Sequence, residues 1–98
     1  MFIDVSFFEV EEGKLDGFER DFASIIAHAR EAEGNISSEL IRLSEERRYA
    51  WVERWRTRED HNHFNQILFG MLLPERPDLA RFSHRMIERD AEGYVVDS

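Results

Sequence analysis

Trp51, Glu53 and Trp55 stand at every second position of one short run, with Tyr49 two residues before them and His61 six residues after. Aromatic walls with a few convergent polar groups are the make-up of a ligand pocket. A carboxylate between two indoles must find a partner or stay wet. An imidazole, which titrates near neutral pH, can take a proton from a bound substrate. The same residues also have a plainer use. Two tryptophans and a tyrosine on one strand face make a packed core, and Arg42 across a turn would satisfy Glu53 as a simple ion pair. His61 can equally be a hydrogen-bonded residue at the edge of that core.

Little else in the chain offers chemistry. His63 lies off the apolar stripe of its helix, His28 flanks an earlier helix, and His84 belongs to no recognisable motif. His61 and His63 make a poor metal pair, because side chains two apart on a helix diverge. The absence of cysteine removes disulfides, thiolate metal sites and a thiol nucleophile. No glycine-rich phosphate loop, His-Glu-x-x-His run or Ser/His/Asp signature is present, so no metal site is expected.

The elements that must position these residues follow from periodicity. Phe2 to Val10 alternates, with Ile3, Val5 and Phe7 on one face and Phe2, Asp4, Ser6, Phe8 and Val10 on the other, which predicts a strand. Leu15, Phe18, Phe22, Ile25, Ile26 and Ala29 then form one stripe of an amphipathic helix that ends at Glu33-Gly34-Asn35. Ile36 to Leu43 and Tyr49 to Trp55 are strand-like runs joined by a charged turn, hence an antiparallel hairpin. Thr57 and Asp60 make a variant capping box for a second helix carrying His61, Phe64, Ile67, Leu68, Met71 and Leu72 on one face. Asp78 to about Asp90 can form a third short helix on Leu79, Phe82 and Met86, and Tyr94 to Val96 a last strand.

The order β-α-β-β-α-(α)-β is ferredoxin-like: one antiparallel sheet with its helices on one side, in a single α+β domain spanning 1–98. Both faces of the first and third strands carry large apolar groups, yet the helices can cover only one. A second copy packed sheet to sheet would cover the other, so a homodimer is expected.

Composition narrows the partners. The 98 residues carry 13 basic and 21 acidic side chains, a net charge of −8 that repels nucleic acid and anionic lipid. No apolar run approaches the ~20 residues of a membrane span. The first residues carry acids where a signal peptide has a basic leader, which favours a first strand and a cytoplasmic protein.

Three segments in order, Val10-Glu-Glu-Gly-Lys-Leu-Asp-Gly-Phe18, Gly34-Asn-Ile-Ser-Ser-Glu-Leu-Ile-Arg42 and Val52-Glu-Arg-Trp55 with Arg58-Glu-Asp60, resemble the antibiotic biosynthesis monooxygenase (ABM) domain. The resemblance runs from about Phe2 to Leu68 and resumes at the final strand. It implies a dimeric α+β barrel and either of two chemistries. One branch oxygenates phenols, anthrones or quinols with molecular oxygen and no cofactor: the protein desolvates the substrate and removes a proton, and the electron-rich anion reduces oxygen. The other branch binds and degrades haem.

Residue by residue, Trp55 occupies the pocket tryptophan position of the anthrone-type members, while Trp51 stands where those members carry asparagine. Phe64 stands where many members have histidine and the haem branch a tryptophan, and the first strand lacks the haem branch's asparagine. The resemblance therefore implies a cofactor-independent monooxygenase acting on a small reduced aromatic. Trp55, His61 and Glu53 are its candidate catalytic residues, with His61 as base and Glu53 or Tyr49 orienting. Trp51, Tyr49, Phe64 and Leu68 are the candidate substrate-binding residues. A non-catalytic ABM-like dimer that binds a small ligand or serves a structural role is the alternative, and a haem-degrading enzyme the third reading.

Overall fold

Alternation along the first strand sets which side chains meet the helices. β1 (Phe2–Glu9) buries Phe2, Asp4 and Ser6 on one face and leaves Ile3, Val5 and Phe7 half-buried on the other. The computed structural model describes residues 1–76, 79, 85–86 and 91–96. After β1 come α1 (Leu15–Glu31), β2 (Asn35–Arg42), β3 (Arg48–Trp55), α2 (Arg58–Ile67), a π-helical turn (Leu68–Leu72), β4 (Arg85–Met86) and β5 (Ala91–Tyr94). The sheet runs β2-β3-β1-β4 and is antiparallel throughout its described pairs, with β5 also paired to β1. This is the ferredoxin-like α+β arrangement that the element order predicts.

α1 buries Phe18, Phe22, Ile25, Ile26 and Ala29, the predicted stripe. Its N-cap, Lys14, makes no side-chain cap hydrogen bond. Packing therefore holds this helix: fully burying each of its large apolar side chains contributes roughly 1.5–3 kcal/mol. α2 begins as predicted, with the Asp60 amide donating to Thr57 Oγ1 at 3.1 Å. Gly34 fixes where α2 starts. Its φ of +82° suits glycine, and a Cβ there would fall 2.0 Å from Asp60 Oδ2. The turn after α1 and the first turn of α2 thus touch with no room for a side chain.

Two differences from the predicted elements have clear causes. The apolar stripe of α2 continues through the π turn, whose wider winding keeps Leu68 and Leu72 buried but turns Met71 out to 51% exposure. Within the span predicted as a third helix, Leu79 is buried, but Arg85–Met86 are extended and pair with Phe8 and Glu9. Leu79 is helical, and at Arg85–Met86 the edge of β1 offers unpaired backbone groups whose ladder bonds draw these two residues out of the predicted helix. Phe82 and His84 lie outside the described residues. The last strand begins earlier than predicted, at Ala91, and places Ala91–Tyr94 against Phe2–Val5, with Val95 N–H donating to the Met1 carbonyl.

Candidate active site

The β1–β3 register pairs Phe2 with Trp55, Asp4 with Glu53, Ser6 with Trp51 and Phe8 with Tyr49. Asp4 and Glu53 therefore stand directly opposite each other on the face that meets the helices. Like charges so placed repel, and neither can escape to water: Asp4 is 8% exposed and Glu53 1%. The first turn of α2 brings His61 over them, itself 3% exposed.

His61 Nε2 lies 3.0 Å from Asp4 Oδ2, and its Nδ1 lies 3.1 Å from Asn62 Oδ1. Trp55 Nε1–H donates to Glu53 Oε1 at 3.3 Å. Trp55 also contacts the Phe64 ring at 5.5 Å and the His61 ring at 6.1 Å, and Phe2 meets His61 at 5.1 Å. Leu68 is buried one turn beyond Phe64 on the same side of the core. The donor atoms of Asp4, Glu53 and His61 fall within 4.8 Å of one another, a spacing that a metal ion could bridge. Hydrogen bonds already complete the group, since among the described residues no buried side-chain nitrogen or oxygen lacks a partner.

Electrostatics separate the roles of these groups. Burial pushes the Glu53 carboxyl up to about 8, the Asp4 charge and a hydrogen bond with Asp4 push the same way, and His61 and the Trp55 N–H only partly offset them. For His61, burial favours the neutral ring. Hydrogen bonds to Asp4 and Asn62, with the charges of Glu53 and Asp4, outweigh burial and raise its pKa above the usual imidazole value. With an acceptor at each ring nitrogen, imidazolium is the form that suits this geometry.

The structure thus brings together Trp55, Glu53, His61, Phe64 and Leu68. Tyr49 and Trp51 lie elsewhere along the core. Trp51 Nε1–H donates to Ser38 Oγ at 2.8 Å and its ring meets Phe22 edge-on. The Tyr49 ring packs on Phe18, and its hydroxyl donates to Glu19 at 2.5 Å. Arg42 does not reach Glu53; it is bound to Glu19 at 2.7–3.0 Å. His63 is exposed. Asp4, absent from the predicted site, is its third charged member. The available signal is an acid on the same parity as Phe2 and Phe8 in the first strand. A groove of about 490 Å³ lies at the β2–β3 turn, walled by Leu15, Leu43, Arg42 and Arg47 among others, and shares no residue with this group.

A family model described as antibiotic biosynthesis monooxygenase, ABM, matches residues 1–67. The chain belongs to the ABM family. Solved structures agree on the fold. SnoaB of Streptomyces nogalater, a cofactor-independent oxygenase, superposes with a TM-score of 0.79 at 17% identity, covering 99% of this chain and 94% of its own. A Deinococcus radiodurans protein assigned to the same family gives 0.81 at 13% identity over 100% and 95%. Rv0793 of Mycobacterium tuberculosis gives 0.71 at 14% over 99% and 96%. At such identities these likenesses establish the fold alone. No curated protein matches the chain in sequence. Membership of the ABM family associates the chain with monooxygenase-type chemistry on small molecules. No helix among the described residues is long and apolar enough to cross a membrane.

Proposed function

We propose that this ABM-family protein oxidises a small reduced aromatic, a quinol, anthrone or phenol, with molecular oxygen and no cofactor. The observation that carries this reading is the enclosed Asp4–His61–Glu53 network against Trp55. A ring seated beside Trp55 and Phe64 would be stripped of water, and a proton acceptor lies within the same group. SnoaB, of the same fold, is a cofactor-independent oxygenase, which supports the reaction class.

The working unit of this reading is a cytoplasmic homodimer that excludes nucleic acid and membranes. Ile3, Val5, Phe7 and Val52 line a sheet face that the helices leave uncovered, and Ile41 on that face is 42% exposed. Sedimentation equilibrium should report twice the 11.7 kDa chain mass. The decisive assay is oxygen uptake with an anthrone or a menadiol-type quinol, corrected for autoxidation. Stimulation by the protein, lost in a folded Trp55→Ala variant, is the expected result.

One observation favours a second reading, a ligand-binding or structural dimer without catalysis. Trp55, Tyr49 and Trp51 are 0%, 1% and 5% exposed, and each packs against another ring. Failure of a broad panel to stimulate uptake, with quenching of tryptophan fluorescence by the same aromatics, supports that reading instead. A haemin titration without a shifted Soret band removes the haem-degrading one.

A further inference from the structure

We infer that Asp4, Glu53 and His61 form a binding site for one divalent transition-metal ion of the zinc class. The inference goes beyond the oxygenase reading and does not depend on it, since an ion can bind whether or not oxygen is consumed.

The donor set points to this class of ion. One imidazole nitrogen and two carboxylate oxygens lie within 4.8 Å of one another, and all three residues are buried. Imidazole with carboxylate suits zinc and its first-row neighbours, whereas magnesium and calcium take oxygen ligands. Donors around a tetrahedral zinc stand about 3.3 Å apart. His61 Nε2 and Asp4 Oδ2 are already 3.0 Å apart, and a small side-chain turn brings a Glu53 oxygen to the same ion.

Charge points the same way. Asp4 and Glu53 face each other across the β1–β3 ladder, and among the described residues no lysine or arginine bonds to either. Enclosed carboxylates need a cation or a proton. Two carboxylates, a neutral imidazole and a divalent ion sum to zero, so the ion leaves no net charge buried.

The hydrogen bonds of the group fall into two sets. Inside it, Asp4 bonds to His61 and to Glu53. An ion displaces the protons of these inner bonds, because ligands bind metal in deprotonated form. Outside it, Asn62 Oδ1 meets His61 Nδ1 at 3.1 Å, and Trp55 Nε1–H donates to Glu53 Oε1 at 3.3 Å. These outer bonds need not break. They hold the ring with Nε2 towards Asp4 and secure one Glu53 oxygen, leaving the other for the ion, which is the outer support that metal ligands commonly have. The three ligands come from β1, β3 and α2, so a single ion would tie the first turn of α2 to the two central strands of the sheet. An ion reaches so enclosed a place as the chain folds or through local opening.

The test is to unfold the intact protein in urea, refold it with zinc and remove loose ion by gel filtration. Metal analysis should find about one zinc per chain, and cobalt(II) in its place should give the visible absorption of a tetrahedral site. Zinc should raise the urea midpoint of the wild type, and magnesium and calcium should not. Glu53→Gln and Asp4→Asn should each weaken zinc binding at least ~10-fold. Asn62→Ala, a change at an exposed residue, should weaken it about 10-fold with the metal-free midpoint little altered. His63→Ala removes an exposed imidazole and should bind zinc as the wild type does. A wild type that retains no zinc, or equal retention in Glu53→Gln and Asn62→Ala, overturns the inference. Loss of zinc from His63→Ala also overturns it, because the ion then sits at the surface.

Discussion

Two glutamates at opposite ends of the aromatic core respond to folding in opposite directions. Glu19, on α1, accepts hydrogen bonds from the Tyr49 hydroxyl and from the Arg42 guanidinium at the solvent edge. The Tyr49 bond dominates, and with Arg42 it holds the Glu19 carboxyl below the usual range despite some burial. Glu53 sits deeper, against a second carboxylate, and is held well above that range. The side chain is the same in both. What differs is whether the nearest strong group donates or repels, and whether water can reach the pair. The first cluster fastens α1 to the hairpin, and the second favours the protonated form of its carboxyl.

The largest effect should come from unbalancing the enclosed group. Asp4→Ala leaves the His61 ring nitrogen without its acceptor and is expected to cost about 3–5 kcal/mol in urea unfolding. A cost under about 1 kcal/mol would mean that the network is loosely held.

Next comes the pH dependence. An unfolded Glu53 titrates near 4.5 and the folded one near 8. Between those values the native state holds more protons, so its stability is complete below pH 4.5 and falls as pH rises towards 8. His61, also raised, adds a loss of the same sign. Glu53→Gln should flatten most of that decline, as seen by comparing denaturation midpoints at pH 5 and 8.5.

At the other cluster, Tyr49→Phe should cost about 1 kcal/mol. Burial, with Glu19 beside it, pushes the Tyr49 phenol up to about 12. The wild type should therefore lose further stability between pH 10 and 12, a phase absent in Tyr49→Phe and visible by absorbance at the phenolate band. Arg42→Ala should have the smallest effect, erased in ~1 M salt, because its ion pair with Glu19 is open to solvent.

How much of this was legible depends on the range of the interaction involved. Helix stripes and strand alternation are local, so α1 shows the buried set that its spacing predicts, and Thr57 caps α2 as its position implies. The pairing of Asp4 with Glu53 joins residues far apart in sequence, and register across β1 and β3 is fixed by packing that periodicity does not encode. For the same reason, the three aromatics on one face of β3 are not told apart by spacing. Phe18 and Phe22 of α1 enclose Tyr49 and Trp51, while the α2 residues Phe64 and His61 enclose Trp55. The partner of Arg42 also depended on where α1 came to lie, and Glu19 lay nearer than Glu53. Met71 was placed on the apolar face by an α-helical count that the π turn does not follow.

The contact between the Trp55 ring nitrogen and the Glu53 carboxyl makes this indole a natural optical gauge. A charge that appears or vanishes 3.3 Å from the chromophore shifts its emission colour. Trp51, bound to the uncharged Ser38 hydroxyl, has no titrating group at its ring nitrogen. The filling and emptying of that carboxyl with hydrogen ions should thus shift the emission of Trp55 as pH is raised through about 8.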